Sequence, residues 1–462
     1  MLTLSDVVVS DTPEWSHFYK KLENSTTLAS LVLSAWQFGL WFAKTLVEQQ
    51  LNRRAQQPQN WENCSQCGAR LQSKGFVSRR MLTLVGWVEW KRRVGRCPRH
   101  CLGSDATPFD GVLQIRRYQQ TSVELMRLGC LLAVFLPYEV AVQVLAQLCG
   151  VRVSDDTLWQ WVQSFGQQAI ERVDTELVQQ ANAVTPTMEP LEAELAVLPL
   201  VIAADGVSVP FRPTPGISTG KIRFREVKLA LLARLKHHQT RTGKTVTRLH
   251  HRRLVAVLGD IDALQPRLQL EALRQGITTA PGVIWISDGA RGFWRLFEQS
   301  FAHVAVGILD FYHATQHLWQ AAEAYGKTIP GRSPKQWFEQ LRHRLRHVSV
   351  DGIIKELGRL LKYRSTPESA KSTLRQVRQY LVTHRAHIQY RKFKRLGYPI
   401  GSGMVESACK WLITQRFKGT GMRWSETGFN HLLHLRVAWV NGRFDSLFGD
   451  RPLSPTLYSP NR

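Results

Sequence analysis

Three short segments carry residues whose types and spacing are suited to phosphodiester chemistry. Asp205 follows the apolar run VIAA, Asp288 follows the apolar run VIWIS, and Glu406 lies four residues after Ser402 in GSGMVESACK. Two acids at strand ends and a third on a helix can together hold two divalent cations. Cations about 4 Å apart activate an attacking oxygen and stabilise the leaving oxygen. The three acids therefore predict a DNA-cutting site that uses Mg²⁺ or Mn²⁺, ions that prefer carboxylate oxygens.

Each of these acids also has a simpler interpretation. An aspartate after a strand is a common helix cap or turn former, and Asp205 with Gly206 could form a hairpin turn. Glu406 could form a surface pair with Lys410, worth about 0.3–0.5 kcal/mol. In the functional interpretation, Glu406 binds metal and Lys410 lies near a phosphate. The joint placement of three acids favours the functional interpretation.

Two residues near the last predicted strand are candidate auxiliary groups. Asp310 ends the run HVAVGILD and is the main rival of Asp288, although it ends the fifth strand of the region and Asp288 ends the fourth. His313 lies three residues later, where it could orient a phosphate or transfer a proton. A packed or solvated histidine is the alternative.

The run QRFKGTGMRW at 415–424 interleaves cations with aromatic rings. Cations suit a phosphate backbone, so Lys418 and Arg423 are candidate DNA-binding residues. Trp424 or Phe417 could stack on an unpaired base. Burial in a core is the alternative for each ring.

Four of the seven cysteines form a second candidate site. Cys64 and Cys67 are separated by 29 residues from Cys97 and Cys101. Two thiolate pairs on turns, joined by short strands, can close a tetrahedral Zn²⁺ site that stabilises a small module. His100 could replace Cys101 as the fourth ligand, and unpaired buried cysteines are the alternative to a metal.

The composition indicates a polyanionic partner and a reducing compartment. Sixty-one Lys and Arg against 36 Asp and Glu give a net charge of +25, which favours nucleic acid over the alternatives of a generic basic protein or an anionic membrane surface. No uninterrupted apolar span of about 18 residues exists, and the N-terminus does not resemble a signal peptide. The odd cysteine count disfavours a disulfide framework. We expect a cytoplasmic, nucleoid-associated protein.

Two helical patterns precede the acidic region. Residues 14–52 have apolar positions at helical spacing, which predicts a helix or helical hairpin, followed by a polar linker that begins near 49. Residues 137–167 predict a helix that stops at Gly150 and a second helix capped by Ser154 and Asp155. This is a helix-turn-helix pattern, whose second helix can enter a major groove; an ordinary helical hairpin is the alternative.

The order of elements after residue 199 predicts the fold. A strand ending at Asp205, two basic strands, a helix, a strand ending at Asp288, a short helix and a last strand give the order of a ribonuclease-H-like core. We therefore predict a multidomain α/β protein in which an all-helical insertion interrupts this core. The predicted regions are an N-terminal helical segment (1–55), a zinc-ribbon-like module (56–115), a helix-turn-helix DNA-binding module (116–175), a linker (176–199), a ribonuclease-H-like catalytic domain (200–315 and 396–445), a helical insertion (316–395) and a C-terminal tail (446–462).

The chain resembles bacterial insertion-sequence transposases of the DDE class, most of all the Kra-type family, which is related to Lre-type and Mutator-like enzymes. The resemblance extends from the cysteine pairs to about residue 443. The matching segments are Asp205-Gly206, Arg225-Glu226-Val227-Lys228, Ser287-Asp288-Gly289-Ala290, Leu309-Asp310-Phe311-Tyr312-His313, Gly401-Ser402-Gly403-Met404-Val405-Glu406-Ser407 and Phe417-Lys418-Gly419-Thr420-Gly421-Met422-Arg423-Trp424-Ser425.

The resemblance implies that Asp205, Asp288 and Glu406 are the catalytic triad. It also implies that Asp310 and His313 stand where Mutator-like enzymes carry a Cys/His element. We expect a transposase that binds the terminal repeats of an insertion sequence and cuts and joins double-stranded DNA at element ends and target, as a homodimer or larger oligomer. The alternatives are an inactive or domesticated sequence-specific DNA-binding protein, and a ribonuclease-H-like nuclease without strand transfer.

Overall fold

The computed structural model describes residues 12–58, 60–102, 105–213, 222–243, 245–326 and 333–449. The chain is a mixed α/β protein that divides into two units, residues 1–162 with 448–462, and residues 163–447. Predictions for residues 1–11 and for most of the C-terminal tail lie outside the described residues. No helix in the described ranges combines the length and the apolar composition needed to cross a bilayer.

The first unit begins with the predicted helical hairpin, helices α1 (Pro13–Glu23) and α2 (Leu28–Ala55). The expected linker from residue 49 was wrong, because α2 continues to Ala55. One polar residue of that stretch contacts a strand instead: Asn52 accepts a hydrogen bond from the Lys91 amide at 3.0 Å, and Glu48, one turn earlier, accepts one from the Glu89 amide at 2.9 Å. These bonds satisfy two backbone amides on the open edge of that strand. Because they use side chains of α2, they stabilise the helix beyond its apolar residues.

A β-hairpin and four helices complete the described part of this unit. Strands β1 (Gln72–Thr83) and β2 (Gly86–Arg96) pair antiparallel, and Ala55, Met81, Val88, Trp90 and Phe109 form a core beside them. The helices are α3 (Pro108–Val112), α4 (Val123–Phe135), α5 (Tyr138–Cys149) and α6 (Asp155–Ala181), which continues into the second unit.

The helix-turn-helix pattern has the predicted local structure. Helix α5 ends at Gly150, which adopts a left-handed φ of 66° and so forms a C-cap that favours glycine. The Ser154 hydroxyl accepts a hydrogen bond from the Thr157 amide at 3.1 Å and caps α6. Helix α6 reaches Ala181, so the acidic segment predicted to be a linker begins inside a helix.

The second unit is built on a five-stranded sheet in its described part. The strands are β3 (Leu200–Phe211), β4 (Arg223–Gln239), β5 (Thr245–Leu258), β6 (Val283–Ser287) and β7 (Ala305–Leu309), in the order β5-β4-β3-β6-β7. Strand β4 is antiparallel to both of its neighbours, whereas β3, β6 and β7 are parallel. All of β6 is buried, as expected for a central parallel strand.

One strand differs from its prediction. Strand β3 does not end at Asp205 but continues to Phe211, because Gly206 to Phe211 remain paired with β4. The parallel partner β6 stops at Ser287, opposite Ala204. Asp205 therefore lies where the parallel pairing ends, not where the strand ends.

Helices surround this sheet and form the insertion. They are α7 (Ala193–Ala196), α8 (Ile261–Arg274), α9 (Arg291–Ser300), α10 (Phe311–Gly326), α11 (Pro334–His347), α12 (Val350–Leu360), α13 (Glu368–Thr383), α14 (Tyr390–Arg395), α15 (Gly403–Ala408), α16 (Gln415–Phe417) and α17 (Glu426–Val440). A π-helical segment, Cys409–Thr414, joins α15 to α16. Between β7 and α15 the described residues contain helices and no strand.

The segment before β3 is held against the sheet by one carboxylate. Glu189 accepts hydrogen bonds from Arg253 at 2.7 Å, Gln275 at 3.0 Å and Arg443, whose Nε lies 3.0 Å away. Its side chain is only 18% exposed. Arg443 also pairs with the buried Glu271 at 2.7 Å. The predicted acidic connector is therefore a structured part of the second unit from Glu189 onward.

Candidate active site and metal centre

The parallel strands of the second unit place three aspartates at one edge of the sheet. Ala204 is paired with Ser287, and Ser287 with Leu309, so the next residue on each strand is an aspartate: Asp205, Asp288 and Asp310. Neighbouring strands lie about 4.8 Å apart. The register therefore brings three carboxylates from distant parts of the sequence into one row.

Asp205 lies among other charged groups of the second unit. It is half-buried, and its Oδ1 accepts a hydrogen bond from the Gly206 amide at 2.7 Å. Burial raises the pKa of Asp205, and the negative charges of Asp288 and Glu406 raise it further, while Gly206 and His313 oppose the change. Because a nearby cation would relieve this repulsion, the surroundings of Asp205 favour positive charge.

Asp288 is held by the helix that follows it. Its Oδ1 accepts a hydrogen bond from the Ala290 amide at 3.0 Å, and its carbonyl oxygen accepts one from the Trp294 indole at 2.7 Å. The side chain is half-buried. Among the described contacts its Oδ2 has no protein donor, so this oxygen is available to a ligand.

Glu406 is positioned by the turn before its helix. The Ser402 hydroxyl donates to Glu406 Oε1 at 3.2 Å, and the Ser402 carbonyl accepts the Glu406 amide at 3.2 Å. Within the described residues no ion pair joins Glu406 to Lys410, which is exposed. The surface pair that was the alternative interpretation is therefore not formed between these described residues, and the other carboxylate oxygen of Glu406 has no protein donor in the described contacts.

The π-helical segment after α15 brings Cys409 to the same place. Burial raises the pKa of the Cys409 thiol to about 12, and the negative charges of Asp205 and Glu406 contribute to this rise. Cys409 thus remains a neutral thiol beside two carboxylates. Single π turns within helices often occur at functional sites.

Asp310 has a different environment from the other two aspartates. It is fully buried. Its Oδ1 accepts the His313 amide at 2.7 Å, and its Oδ2 accepts the Ser402 amide. A further bond, from the Phe311 amide to the Ile400 carbonyl at 2.8 Å, joins the same two segments. Asp310 therefore connects the end of β7 to the turn that begins the Glu406 helix.

His313 lies in the first turn of α10 and is half-buried. Its charge opposes the rise in the pKa of Asp205. The His313 amide donates to Asp310 Oδ1, and the auxiliary roles of these two residues stay a prediction.

The aromatic residues of the 415–424 run are mainly packed. Phe417 is fully buried, with its ring 5.1 Å from that of Trp424. The Trp424 indole donates to the Phe417 carbonyl at 2.9 Å. Lys418 and Arg423 are exposed. Of these predicted DNA contacts, the two cations are accessible and Phe417 is not.

The four cysteines form a compact cluster in the first unit. Among the described residues, Cys64, Cys67, Cys97 and Cys101 are the one group of three or more potential ligands whose donor atoms all lie within 4.8 Å of one another. The Arg99 amide donates to Cys97 Sγ at 3.3 Å. Although burial raises the pKa of Cys97, this bond and the neighbouring thiols lower it to about 6, which favours the metal-binding thiolate.

This cluster also decides between the two candidates for the fourth ligand. Cys101 belongs to the group and the exposed His100 does not. Two close cysteine pairs with tetrahedral-type spacing suit a metal such as zinc. By contrast, the carboxylate oxygens of Asp205, Asp288 and Glu406 do not all lie within 4.8 Å of one another.

Sequence analysis assigned no role to three residues that lie near the acids, Ser402, Cys409 and Tyr380. The first two are close to Glu406 in sequence, and the GSG turn is a signal that could have identified Ser402. Tyr380 belongs to the helical insertion, and no local pattern distinguishes it from the other residues of α13.

No family model matches this sequence, and no curated protein matches it. Among solved structures, the chain is similar to the Drosophila P element transposase strand transfer complex, with 13% sequence identity and a TM-score of 0.25, over 72% of this chain and 80% of that chain. A TM-score this low does not establish a shared fold, so the function is inferred from the geometry of the chain itself.

Proposed function

We propose that this chain is a DDE transposase of the Kra type, an enzyme that cuts and joins DNA at the ends of an insertion sequence. One observation carries the proposal. Asp205 and Asp288 follow paired positions of adjacent parallel strands, and the negative charge of Glu406 raises the pKa of Asp205. This supports one site for three acids from distant segments, whereas the simpler interpretations as separate caps and turns leave their convergence unexplained.

A ribonuclease-H-like assignment of the second unit is supported by its sheet. Of the five described strands of this sheet, only β4 runs antiparallel to the others, and Asp205 and Asp288 lie where the parallel pairing of β3 with β6 ends. Helices α10 to α14 lie in the interval between β7 and α15. These features agree with a split core interrupted by a helical insertion.

The residues of the site fit a role in binding divalent cations. Asp205, Asp288 and Glu406 would hold Mg²⁺ or Mn²⁺, which would supply an activated oxygen nucleophile and stabilise the leaving oxygen. Ser402 orients Glu406, and Asp310 fixes the turn that carries Ser402. His313, whose charge opposes the rise in the pKa of Asp205, would bind a phosphate or move a proton.

DNA is the proposed partner of both units. The net charge of +25 gives a salt-dependent affinity for any duplex. Helices α5 and α6 offer a helix-turn-helix for base recognition in the terminal repeats, and the cluster of four cysteines, with Zn²⁺, would stabilise the preceding hairpin. Since two element ends must be joined, we propose a homodimer or larger oligomer.

Cleavage of the DNA that flanks the coding sequence tests this proposal. Wild-type protein is incubated with labelled flanking DNA and Mg²⁺, beside Asp288→Asn and a matched control, Asp260→Asn. Asp260 caps α8 through a 3.0 Å bond to the Ala263 amide, and asparagine caps helices about as well as aspartate. We expect cleavage at the element ends by the wild type and Asp260→Asn, and none by Asp288→Asn.

Each other outcome has a distinct meaning. Cleavage that survives Asp288→Asn would reject Asp288 as a catalytic residue. Cleavage without joining of the cut ends would favour a nuclease without strand transfer. Specific binding of the flanking DNA without cleavage would favour the DNA-binding alternative.

A further inference from the structure

One polar group of the helical insertion lies beside the acids without a protein partner. The hydroxyl of Tyr380, on α13, is buried and makes no hydrogen bond to any described residue. It lies against Gly289, the residue after Asp288, so closely that a methyl group at Gly289 would overlap the tyrosine ring. Absence of a side chain at Gly289 thus gives Tyr380 access to the end of β6.

The ring of Tyr380 is held on two sides. Its centroid lies 3.9 Å from that of His317 and 4.8 Å from that of His384. His317 is one turn after His313 on α10, and His384 packs on Trp294, the residue whose indole bonds the Asp288 carbonyl. Stacking of this kind restricts the ring, so the hydroxyl has one defined position.

The surroundings keep this hydroxyl protonated. Burial raises the pKa of Tyr380, and the negative charges of Asp288 and Asp310 raise it further. The group is therefore a hydrogen-bond donor at neutral pH. A buried donor without an acceptor costs stability, and such groups are rare unless a ligand uses them.

We propose that the Tyr380 hydroxyl donates a hydrogen bond to a non-bridging oxygen of the phosphodiester group bound beside Asp288. This inference rests on the proposed function and extends it, because it makes the helical insertion a contributor to the site. The phosphodiester oxygen is anionic, and a hydrogen bond to an anionic acceptor is stronger than one between neutral groups. Such a donor offsets part of the repulsion between the phosphodiester group and the nearby carboxylates. The hydroxyl transfers no proton and forms no covalent bond.

The main test is Tyr380→Phe, which keeps the ring against His317 and removes only the hydroxyl. We expect single-turnover cleavage to fall roughly 10- to 100-fold, as for loss of a hydrogen bond to a charged group. The unfolding temperature should stay the same or rise, because an unsatisfied buried donor is removed. If the hydroxyl had a structural role instead, its removal would lower both the cleavage rate and the unfolding temperature.

Two other tyrosines of the insertion serve as controls. The Tyr390 hydroxyl donates to the Leu309 carbonyl at 3.0 Å, so Tyr390→Phe should lower the unfolding temperature. Tyr363 is 52% exposed and remote from the acids in sequence and contacts, so Tyr363→Phe should change neither cleavage nor stability. If Tyr380→Phe destabilises the protein as much as Tyr390→Phe, the inference is wrong.

Phosphorothioate substrates give a readout that a structural role would not change. Sulfur is a weaker acceptor than oxygen, so the ratio of wild-type to Tyr380→Phe rates should fall toward one for one diastereomer at the scissile phosphate. An equal ratio for both diastereomers and for the oxygen substrate would overturn the inference.

The Asp288→Asn variant separates this inference from the proposed function. If Asp288→Asn loses cleavage and Tyr380→Phe does not, the function stands and the inference falls. If the wild type does not cleave the flanking DNA, both fall.

Discussion

Replacement of Glu189 by glutamine should destabilise the second unit in a pH-dependent way. Burial would raise the pKa of Glu189, but the charge and hydrogen bonds of Arg443, with Gln275 and Arg253, lower it from 4.5 to about 2. A pKa lowered by this amount corresponds to about 3 kcal/mol of stability. Because the side chain is mostly buried, solvent screens this contribution only weakly.

The sign of the pH dependence follows from the direction of the pKa change. The folded-state pKa is below the unfolded value, so the contribution is fully present above about pH 4.5 and is lost as the pH falls toward 2. Glu189→Gln should therefore lower the free energy of unfolding by about 3 kcal/mol at pH 7. The difference between wild type and variant should shrink as the pH falls below 4.5.

Urea unfolding at pH values from 7 to 3.5 measures this difference. The matched control is Glu194→Gln in the same segment, since Glu194 pairs with Lys236 at 3.3 Å but its side chain is 81% exposed. This exposed pair should contribute less than about 1 kcal/mol. A difference for Glu189→Gln that stays constant down to pH 3.5, or that equals the control, would refute the reasoning.

Three further predictions address the two candidate sites and DNA binding. Cys97→Ser should abolish stoichiometric zinc binding in metal analysis, whereas Cys149→Ser, outside the cluster, should retain it. Asp310→Asn should lower the free energy of unfolding by about 1–3 kcal/mol in urea titrations, because the amide nitrogen cannot accept one of the two backbone donors; Asp288→Asn, which reduces repulsion with Asp205, should not. Arg423→Ala should reduce the slope of log binding constant against log salt by about one in fluorescence anisotropy, if this exposed cation contacts a phosphate.

The strands near the acids were largely predictable, but their register was not. A short apolar run bounded by turn residues predicts a strand such as β6. Which residue of β3 faces Ser287 depends on long-range pairing, and the local sequence contains no information about it. The continuation of β3 past Gly206 and through Pro210 was also missed, because both residues usually weaken strands. Here the antiparallel partner β4 keeps that part of the strand in the sheet.

The contact between the insertion and Gly289 could not be predicted from the sequence, for a different reason. Helical spacing predicts which face of α13 is buried but not what it is buried against. The position of Tyr380 depends on the missing side chain at Gly289 and on the ring of His317, both distant in sequence. Such complementarity is visible only after the insertion has folded onto the sheet.

The three aspartates in one row show how similar sequence signals acquire different roles. Each follows an apolar run, and nothing local separates Asp310 from the other two. Asp310 is fully buried, its Oδ1 accepts the His313 amide, and its Oδ2 accepts the Ser402 amide of the turn before Glu406, so each of its oxygens already has a protein donor. Asp205 and Asp288 each accept one short-range amide bond and stay half-buried. Asp310 therefore connects the turn before Glu406 to the sheet, whereas Asp205 and Asp288 can bind a cation together with Glu406. For this reason we place the second carboxylate of the proposed site at Asp288 and not at Asp310.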